Sequence, residues 1–594
     1  MLNLIKSLQL VLSGKDFKTL VTMSVMLTLV ALIEVGGLVL IAFLVLNLEN
    51  LSEVLLSFQF IEYFVTFSVF KEEDILIIFA GVIAIYSFIT ILISTMSIRK
   101  ISIFSELMGA KIKTSLLKYF LNLEWMQFSQ SQSSDKMSRI IHDGDIVADI
   151  INFAMNLFNK FVLAIIITCG LFLFNSVLTF WLALILCSAY LIIFAAFKSE
   201  TRKNSLQITK YMDITVNIVT NIFGSFKEII FYHKQKKVID SFEKVDSNLA
   251  NLKGINMSYA YMPRFYIDSA LLLMLVAASI FVSANSLSAS SFFATLSVYG
   301  IAGLKLLPAF QNIFYFSYEI FTRLPHLDNV TALLIKNSGN QSFQAIREIP
   351  SFNKGISFKN VSFSYDKEQI NPLVNIDLSL LRGKKIAIIG PTGSGKSTFV
   401  DLFLGFLKPN SGIITMDDRK IDKENIYSYR KNISFVPQKI FFLEDTLKQN
   451  IVFGSSGTVD LDKLNQAISD SYLKDLIDNL PNGLETNISD TNQMVSGGQK
   501  QCVGIARALY RGGDILLLDE ATSGMDQKLE NLIYESVFKS QFQTFICVTH
   551  NLDLLDQFDE VIVFNNGRIE AIGSYKDLKN SSNFLSSVTG QIIN

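Results

Sequence analysis

The sequence predicts a two-part membrane protein: an all-α domain of six transmembrane helices followed by a soluble α/β domain built on a phosphate-binding loop. Three observations predict it. Six long apolar runs are crowded into the first half. Beyond about residue 353 the composition becomes that of an ordinary soluble chain. There a Gly-rich loop, Gly390 to Ser397, separates an apolar strand from a helical pattern.

Composition sets the frame. The 594 residues are 50% hydrophobic, with a mean hydropathy of +0.38, too apolar for a soluble protein of a length that accommodates several domains. A net charge of −1 supplies no basic field for nucleic acid. Cys169, Cys187, Cys502 and Cys547 are scattered, without metal-type or paired spacing. The first apolar run is too long for the h-region of a cleavable signal peptide and lacks a small-residue cleavage site.

The runs cover 19–47, 75–98, 151–174, 177–197, 265–285 and 291–321, each close to the ~20 residues that cross a hydrocarbon core. Flanking charge orients them. Segment 49–74 holds Glu49, Glu53, Glu62, Glu72, Glu73 and Asp74 against Lys71, and is expected outside. Arg99, Lys100, Lys111, Lys113, Lys118, Lys198, Arg202, Lys203 and Lys210 follow the second and fourth runs and are expected in the cytoplasm. Leu51 to Phe64 reads as a short amphipathic helix at the outer surface. The connections 99–150 and 198–264 keep helical periodicity, so the membrane helices are expected to continue inward and turn back through short transverse helices near Gln132–Ser138 and Asn221–Glu228. Polarity rises from about residue 325, and the domains are taken as 1–330, a linker 331–352, and 353–594.

In the second domain, Gly390-Pro391-Thr392-Gly393-Ser394-Gly395-Lys396-Ser397 fits G-x-x-x-x-G-K-[ST], after the apolar strand Lys385–Ile389 and before a helical pattern from Thr398 to Leu407. Glycines let backbone N–H groups close around phosphates, and the helix N-terminus adds its dipole. Lys396 is placed to reach the terminal phosphates and the Ser397 hydroxyl to ligate Mg²⁺. Downstream, Ile515 to Glu520 reads as a buried strand ending in two acids: Asp519 for the Mg²⁺ sphere, Glu520 to orient or deprotonate the attacking water.

Val495-Ser496-Gly497-Gly498-Gln499 resembles the signature motif of ATP-binding-cassette (ABC) proteins, and other motifs of that family follow the same order. Tyr365 resembles the aromatic that stacks on adenine, Gln438 the Q-loop glutamine that senses the γ-phosphate and joins the metal sphere, Ser523-Gly524-Met525-Asp526 the D-loop, and His550 the switch histidine. The resemblance implies the type IV ABC exporter fold, ATP and Mg²⁺ as ligands, Glu520, His550, Lys396 and Gln438 as catalytic groups, and a nucleotide site including Thr398, Ser496 to Gln499 and Asp526. Read without it, Tyr365 is a strand residue, His550 a core histidine, and Gln438 a loop cap. Departures are small. Val495 replaces the usual Leu, Cys502 stands where the family generally has Arg, the D-loop reads Gly-Met for Ala-Leu, and Ile488 to Asn492 differs from the usual Gly-Glu element.

The family sandwiches each ATP between the phosphate loop of one subunit and the signature motif of the other. One of each per chain therefore implies a dimer, either of two identical chains or with a degenerate partner.

Ionisable residues at membrane depth cost ~2.5–3.5 kcal/mol each at a helix centre, which makes them the clue to cargo. Glu34, Arg264, Asp268 and Lys305 qualify. Arg264 and Asp268 stand four apart and can pair with each other. Lys305 either pairs with Glu34 or faces a cavity as an anion receptor, with Pro308 kinking its helix one turn on. Met262 to Asp268, Lys305-Leu306-Leu307-Pro308 and Ile33-Glu34 resemble the lipid-linked oligosaccharide flippases of bacterial protein N-glycosylation, the PglK type. That likeness implies that Arg264 and Lys305 receive the pyrophosphate of a polyprenyl-diphosphate glycan, although the family's arginine in the second helix has no counterpart between Ile75 and Ile98. Membrane lipids are the implied surroundings, and abundant Lys, Asn, Ile, Ser and Phe suggest an AT-rich bacterial genome and an inner-membrane location.

The competing reading is an exporter of peptides, lipids or hydrophobic drugs. No Cys/His protease domain precedes the first helix, and Phe314, Tyr315, Phe316 and Tyr318 either line an aromatic cavity or pack helices.

Overall fold

The computed structural model describes residues 7–10, 12–46, 72–284, 289–338, 352–365, 372–455, 457–489 and 494–581. Packing divides the chain into two units, Met1–Leu123 with Gln127–Gln341, and Glu124–Met126 with Ser342–Asn594.

Six long helices build the first unit: α1 (Gly14–Leu46), α2 (Glu72–Leu121), α3 (Gly144–Phe174), α4 (Ser176–Gly224), α5 (Gln235–Ala284) and α6 (Ala289–Ser338). Apolar windows long enough to span a membrane lie in Gly14–Leu46, Ile77–Leu121, Ser134–Phe174 and Ser176–Gly224, with mean hydropathies of 2.8, 2.5, 2.2 and 2.5. Helix α3 is the hub. Its buried residues include Val147, Ile150, Ile151, Met155, Leu163, Ala164, Ile167 and Leu171, a three-four spacing that makes one broad buried face on which α1, α2, α4 and α6 pack, while Phe158, Phe161, Ile165 and Phe172 on the other side are exposed. The acids at its entry have partners: Asp145 pairs with Lys113, and Asp149 lies 3.5 Å from Arg323. On α2, Ile85 and Phe88 are 64% and 62% exposed, as suits side chains whose solvent is lipid. The approach of α1 to α2 depends on Gly36. The Tyr86 hydroxyl donates to Ile33 O at 2.7 Å, and a Cβ on Gly36 would stand 2.3 Å from it.

Two expectations are corrected. A short helix, Ser133–Ser138, stands where the first transverse helix is expected, after another at Trp125–Ser129. Residues Ser133–Ser138 feed α3 through a π-helical turn, Arg139–Asp143. Backbone angles at Ser138, Arg139 and Gly144 stay right-handed throughout, and Asp143 is held there by His326 Nδ1 at 2.7 Å. The second turn is closer to expectation: α4 ends at Gly224 and a short helix, Phe226–Phe231, follows Ser225. The segment from 325 or 331 to 338 is not linker, because α6 continues to Ser338 with Leu327 and Val330 fully buried. The expected outer helix Leu51–Phe64 and residues Asp490 to Asn492 lie outside the described residues.

The second unit holds two main sheets. β1 (Gly355–Phe363), β2 (Leu373–Leu381), β4 (Ser411–Met416) and β5 (Arg419–Lys420) form an antiparallel sheet ordered β2-β1-β4-β5. β3 (Lys385–Ile389), β6 (Ile433–Val436), β9 (Ile515–Asp519), β10 (Thr544–Val548), β11 (Glu560–Asn565) and β12 (Arg568–Gly573) form a sheet ordered β12-β11-β3-β10-β9-β6. All of its strands are parallel except β12. A small ladder of β7 (Asp445–Thr446) and β8 (Asn487–Ile488) stands apart. Alternate side chains of the central strands enter opposite cores. Ile386, Ile388, Ile515, Leu517, Ile546 and Val548 face one, while Ala387, Ile389, Leu516, Leu518, Phe545 and Cys547 face the other. Burial on both faces is why Ile515 to Leu518 reads as an unbroken apolar run. Truncating Leu517 to Ala should open a cavity at the sheet centre and cost about 2–5 kcal/mol, read as a lower thermal unfolding midpoint of the nucleotide-free protein.

Candidate nucleotide site

Parallel strands deliver their C-terminal ends to one edge of the sheet, where ligands of such sheets bind. β10 lies between β3 and β9, with Val548 opposite both Ile388 and Asp519. The residues that follow these strands are therefore neighbours: the phosphate loop after β3, Asp519-Glu520 at the end of β9, and His550 after β10. Glu520 N donates to Val548 O at 3.0 Å, and Thr549 N to Ile388 O at 3.2 Å, which laces the three exits together.

The loop from Gly390 to Gly395 opens helix α7 (Lys396–Phe403). Gly395 has φ +102°, and a Cβ there would sit 2.6 Å from Pro372 O, so no other residue closes this turn without strain. Lys396 is buried, with Nζ donating to Gly390 O at 2.8 Å and Pro391 O at 3.0 Å. Burial lowers its pKa, which Glu520 and Asp519 oppose. Ser397 is exposed at the loop mouth, whereas Thr398 is buried, 3.3 Å by its Oγ1 from the Tyr365 hydroxyl. Tyr365 stands edge-on to Phe363 at 5.0 Å and is 47% exposed. Its ring is thus fixed beside the loop with area left for a planar base, more than a purely packed strand residue would keep.

Glu520 is the focus of the acidic side. Its φ of +49° is the left-handed region, a strained backbone of the kind held at functional sites. Gln438 Nε2 donates to Oε2 at 2.6 Å, and His550 Nε2 lies 2.8 Å from Oε1. A carboxylate oxygen only accepts, so the imidazole carries a proton on Nε2. Gln438 and His550 therefore do more than cap a loop or fill a core: both bind the expected base. Burial, then the Glu520 charge, push Asp519 up to about 6 against the opposing pull of Lys396. Asp401 on α7 is likewise pushed up to about 6 by burial and Asp519. Nothing in the sequence marked Asp401, because its acidic partner arrives from another strand.

The residues present fit ATP and Mg²⁺. Ser394 Oγ is buried with no hydrogen-bond partner among the described residues, and the raised Asp519 marks a place short of positive charge. Ser397 and Asp519 would hold the metal, with the Gln438 Oε1 able to join them. Bound there, Mg²⁺ would neutralise charge building on the phosphates.

The signature segment is built separately. Ser496 caps helix α8 (Gly497–Arg511), accepting from Gln499 N at 3.3 Å while Ser496 N donates to Gln499 Oε1 at 2.8 Å. Gln501, not singled out by sequence, accepts from Gly524 N at 3.0 Å and so ties α8 to the D-loop. Asp526 caps helix α9 (Gln527–Phe538), accepting from Leu529 N at 3.0 Å. Cys502 is buried beneath, its thiol pushed up to about 11 by burial, a packing role rather than a reactive one. Ser496 and Gly497 remain exposed at a helix N-terminus, suited to an anion, and their polar contacts run within the segment rather than to the phosphate loop.

Joined in one chain, this nucleotide domain and the six-helix bundle have the layout of an ABC half-transporter. Residues 373–523 match the family model described as ABC transporter. The sequence is 28% identical to the ATP-dependent lipid A-core flippase of Salmonella typhimurium over 477 residues, 79% of this chain and 80% of that protein. It is 27% identical to the flippase of the same description in Escherichia coli K12 over the same length. The one of Ralstonia nicotianae is 34% identical over 226 residues, 38% of each chain. A bacterial Atm1-family ABC exporter solved with ATP bound shares the fold, with a TM-score of 0.78 at 17% identity over 98% of each chain. Residues 373–523 thus form an ABC transporter domain that hydrolyses ATP, and the chain as a whole has the type IV ABC exporter fold.

Glu520→Gln should lower ATP turnover about 100-fold or more, with ATP affinity kept within a few-fold. Turnover by the purified variant checks this, and residual hydrolysis near the wild-type rate would place the base elsewhere.

Proposed function

We propose that two copies of this chain form a homodimer in the bacterial inner membrane that uses ATP to flip a polyprenyl-diphosphate-linked oligosaccharide from the cytoplasmic to the outer leaflet. Membership among ABC exporters and likeness to lipid A-core flippases support the coarser reading, a flippase of an amphipathic lipid. Lys305 is the observation that carries the anionic headgroup. It is exposed on α6, and among the described residues no carboxylate pairs with it. Glu34, its candidate partner, accepts instead from Ser94 Oγ at 3.0 Å. A lone ammonium at membrane depth is retained where it meets a charged ligand.

Arg264 is more ambiguous in chemistry. Its Nε lies 3.6 Å from Asp268, and Asp268 also accepts from Gln311 Nε2 at 3.1 Å. The local pair is therefore formed, and Arg264 joins Lys305 on the pyrophosphate as a shared rather than a free cation, with Glu34 and Ser94 as a polar step on α1 and α2. The lipid tail stays in the bilayer while the hydrated headgroup follows the protein. Aromatic drug-binding gains nothing from Phe314 and Tyr318, which are buried and stacked on each other at 6.1 Å: they pack helices.

The exposed signature segment supports the dimer, since among the described residues its polar contacts stay within the segment and with the D-loop. Closure of two nucleotide domains over ATP and their release after hydrolysis would drive the bundle between its two arrangements.

Coexpression tests the arrangement. Lys396→Ala chains and Ser496→Arg chains should each be inactive alone, yet recover up to about a quarter of wild-type turnover when mixed, because half the dimers then hold one intact site of two; no recovery would contradict sites shared between chains. In lipid nanodiscs, a polyprenyl-diphosphate oligosaccharide should stimulate turnover, and Lys305→Ala should abolish most of that stimulation while sparing the basal rate. Equal loss of both would return Lys305 to a structural role, and stimulation by peptides or drugs instead would replace the substrate.

A further inference from the structure

A buried carboxylate outside the family motifs joins the two loops that hold the catalytic pair. Glu530, on helix α9, is 8% exposed. Its Oε1 accepts from Thr522 Oγ1 at 2.6 Å, and its Oε2 accepts from Asn551 Nδ2 at 2.8 Å. Thr522 stands two residues after Glu520, and Asn551 directly follows His550. The same carboxylate thus spans the exits of β9 and β10, the strands whose following residues make the 2.8 Å contact between Glu520 and His550.

Each donor is itself oriented. Asn551 uses its Oδ1 to accept from Asp553 N at 3.0 Å, and its backbone N donates to Thr549 Oγ1 at 3.0 Å, so its amide group can turn only Nδ2 toward Glu530. Thr522 is 4% exposed, its hydroxyl also 3.3 Å from Tyr534 Oη, and its backbone O accepts from Met525 N at 3.0 Å. Glu530 N donates to Asp526 O in the first turn of α9, where the helix dipole favours an anion. A buried carboxylate with two neutral donors is costly to retain for packing alone. Its geometric return is that the loop with the strained Glu520 and the loop with His550 move as one body.

We infer that Glu530 is a positioning residue for ATP hydrolysis, which acts through Thr522 and Asn551 to hold His550 against Glu520. It touches neither nucleotide nor metal, so its removal affects turnover and leaves ATP binding alone. The inference rests on the reading of Glu520 and His550 as the catalytic pair. Glutamine is the conservative replacement: its Oε1 can accept from Asn551 while its Nε2 donates to the Thr522 hydroxyl, which preserves both links. Serine at 551 keeps the helix cap but cannot reach Glu530.

The test is steady-state ATPase activity of the full-length protein in lipid nanodiscs, with nucleotide affinity and thermal unfolding measured in parallel. Glu530→Ala and Asn551→Ser should each lower kcat about tenfold with KM within about twofold of wild type. Glu530→Gln should recover at least half of the lost rate. Wild-type kcat in Glu530→Ala, a proportional loss of ATP affinity, or no recovery with Gln would overturn the proposal. If Glu530→Ala does not fold, Asn551→Ser decides by the same criteria. Glu520→Gln and His550→Ala are measured beside them: if these retain turnover, the catalytic pair itself is wrong, whereas their loss with an unaffected Asn551→Ser refutes Glu530 alone.

Discussion

The nucleotide site depends on three parallel strands lying abreast in one register. Val548 of β10 faces Ile388 of β3 on one side and Asp519 of β9 on the other. The phosphate loop lies more than a hundred residues before the acidic pair, the histidine follows that pair by 30, and this register alone brings the three to one edge. The register is fixed by burial on both faces. A slip of one residue would exchange the two core sets and turn every side chain to the wrong side.

Charge at that edge is arranged to want a ligand. Asp519 and Asp401 are both pushed up by burial, while burial lowers Lys396. Each shift reports a charge poorly solvated by the protein, and Mg²⁺ with phosphate supplies what each lacks. Glu520, in the meantime, is turned toward Gln438 and His550 within its own chain. Gln438 holds Glu520 through its Nε2, which leaves its Oε1 as the atom that would meet a metal, so one side chain links the metal sphere to the base. Among the described residues, the anion-ready end of α8 stands outside this cluster, which is why the proposed function calls on a second chain.

Much of this was legible in the sequence because the motifs encode local backbone. Gly395 is needed where a left-handed turn meets Pro372, and the run Ile515 to Leu518 announces a strand buried on both sides. Long apolar runs likewise marked the membrane helices. What escaped depends on partners distant in sequence. Asp143 sits at a π-helical turn that no local pattern announces, held by His326 from α6. Gln132–Ser138 is polar enough to resemble a surface turn, yet it continues into α3 because Ser134, Lys136 and Ser138 are buried. The helix beyond residue 325 looked like linker because its polar residues hide the buried pair Leu327 and Val330. Asp401 and Glu530 were invisible for the same reason: each gains its meaning from a strand or loop elsewhere. Among the membrane charges, spacing foresaw the Arg264–Asp268 pair, whereas the Glu34–Ser94 bond could be found only by packing α1 on α2.

The central claim is that hydrolysis at this edge moves a headgroup across the bilayer, and transbilayer movement itself tests it most directly. Proteoliposomes with outward-facing nucleotide domains would hold a labelled polyprenyl-diphosphate oligosaccharide, and its glycan would be followed by protection from an external glycan-modifying reagent. The account predicts that ATP makes the label progressively inaccessible, at a rate that follows hydrolysis and vanishes when Glu520 is replaced by Gln. Brisk hydrolysis with an unchanged leaflet distribution would contradict it.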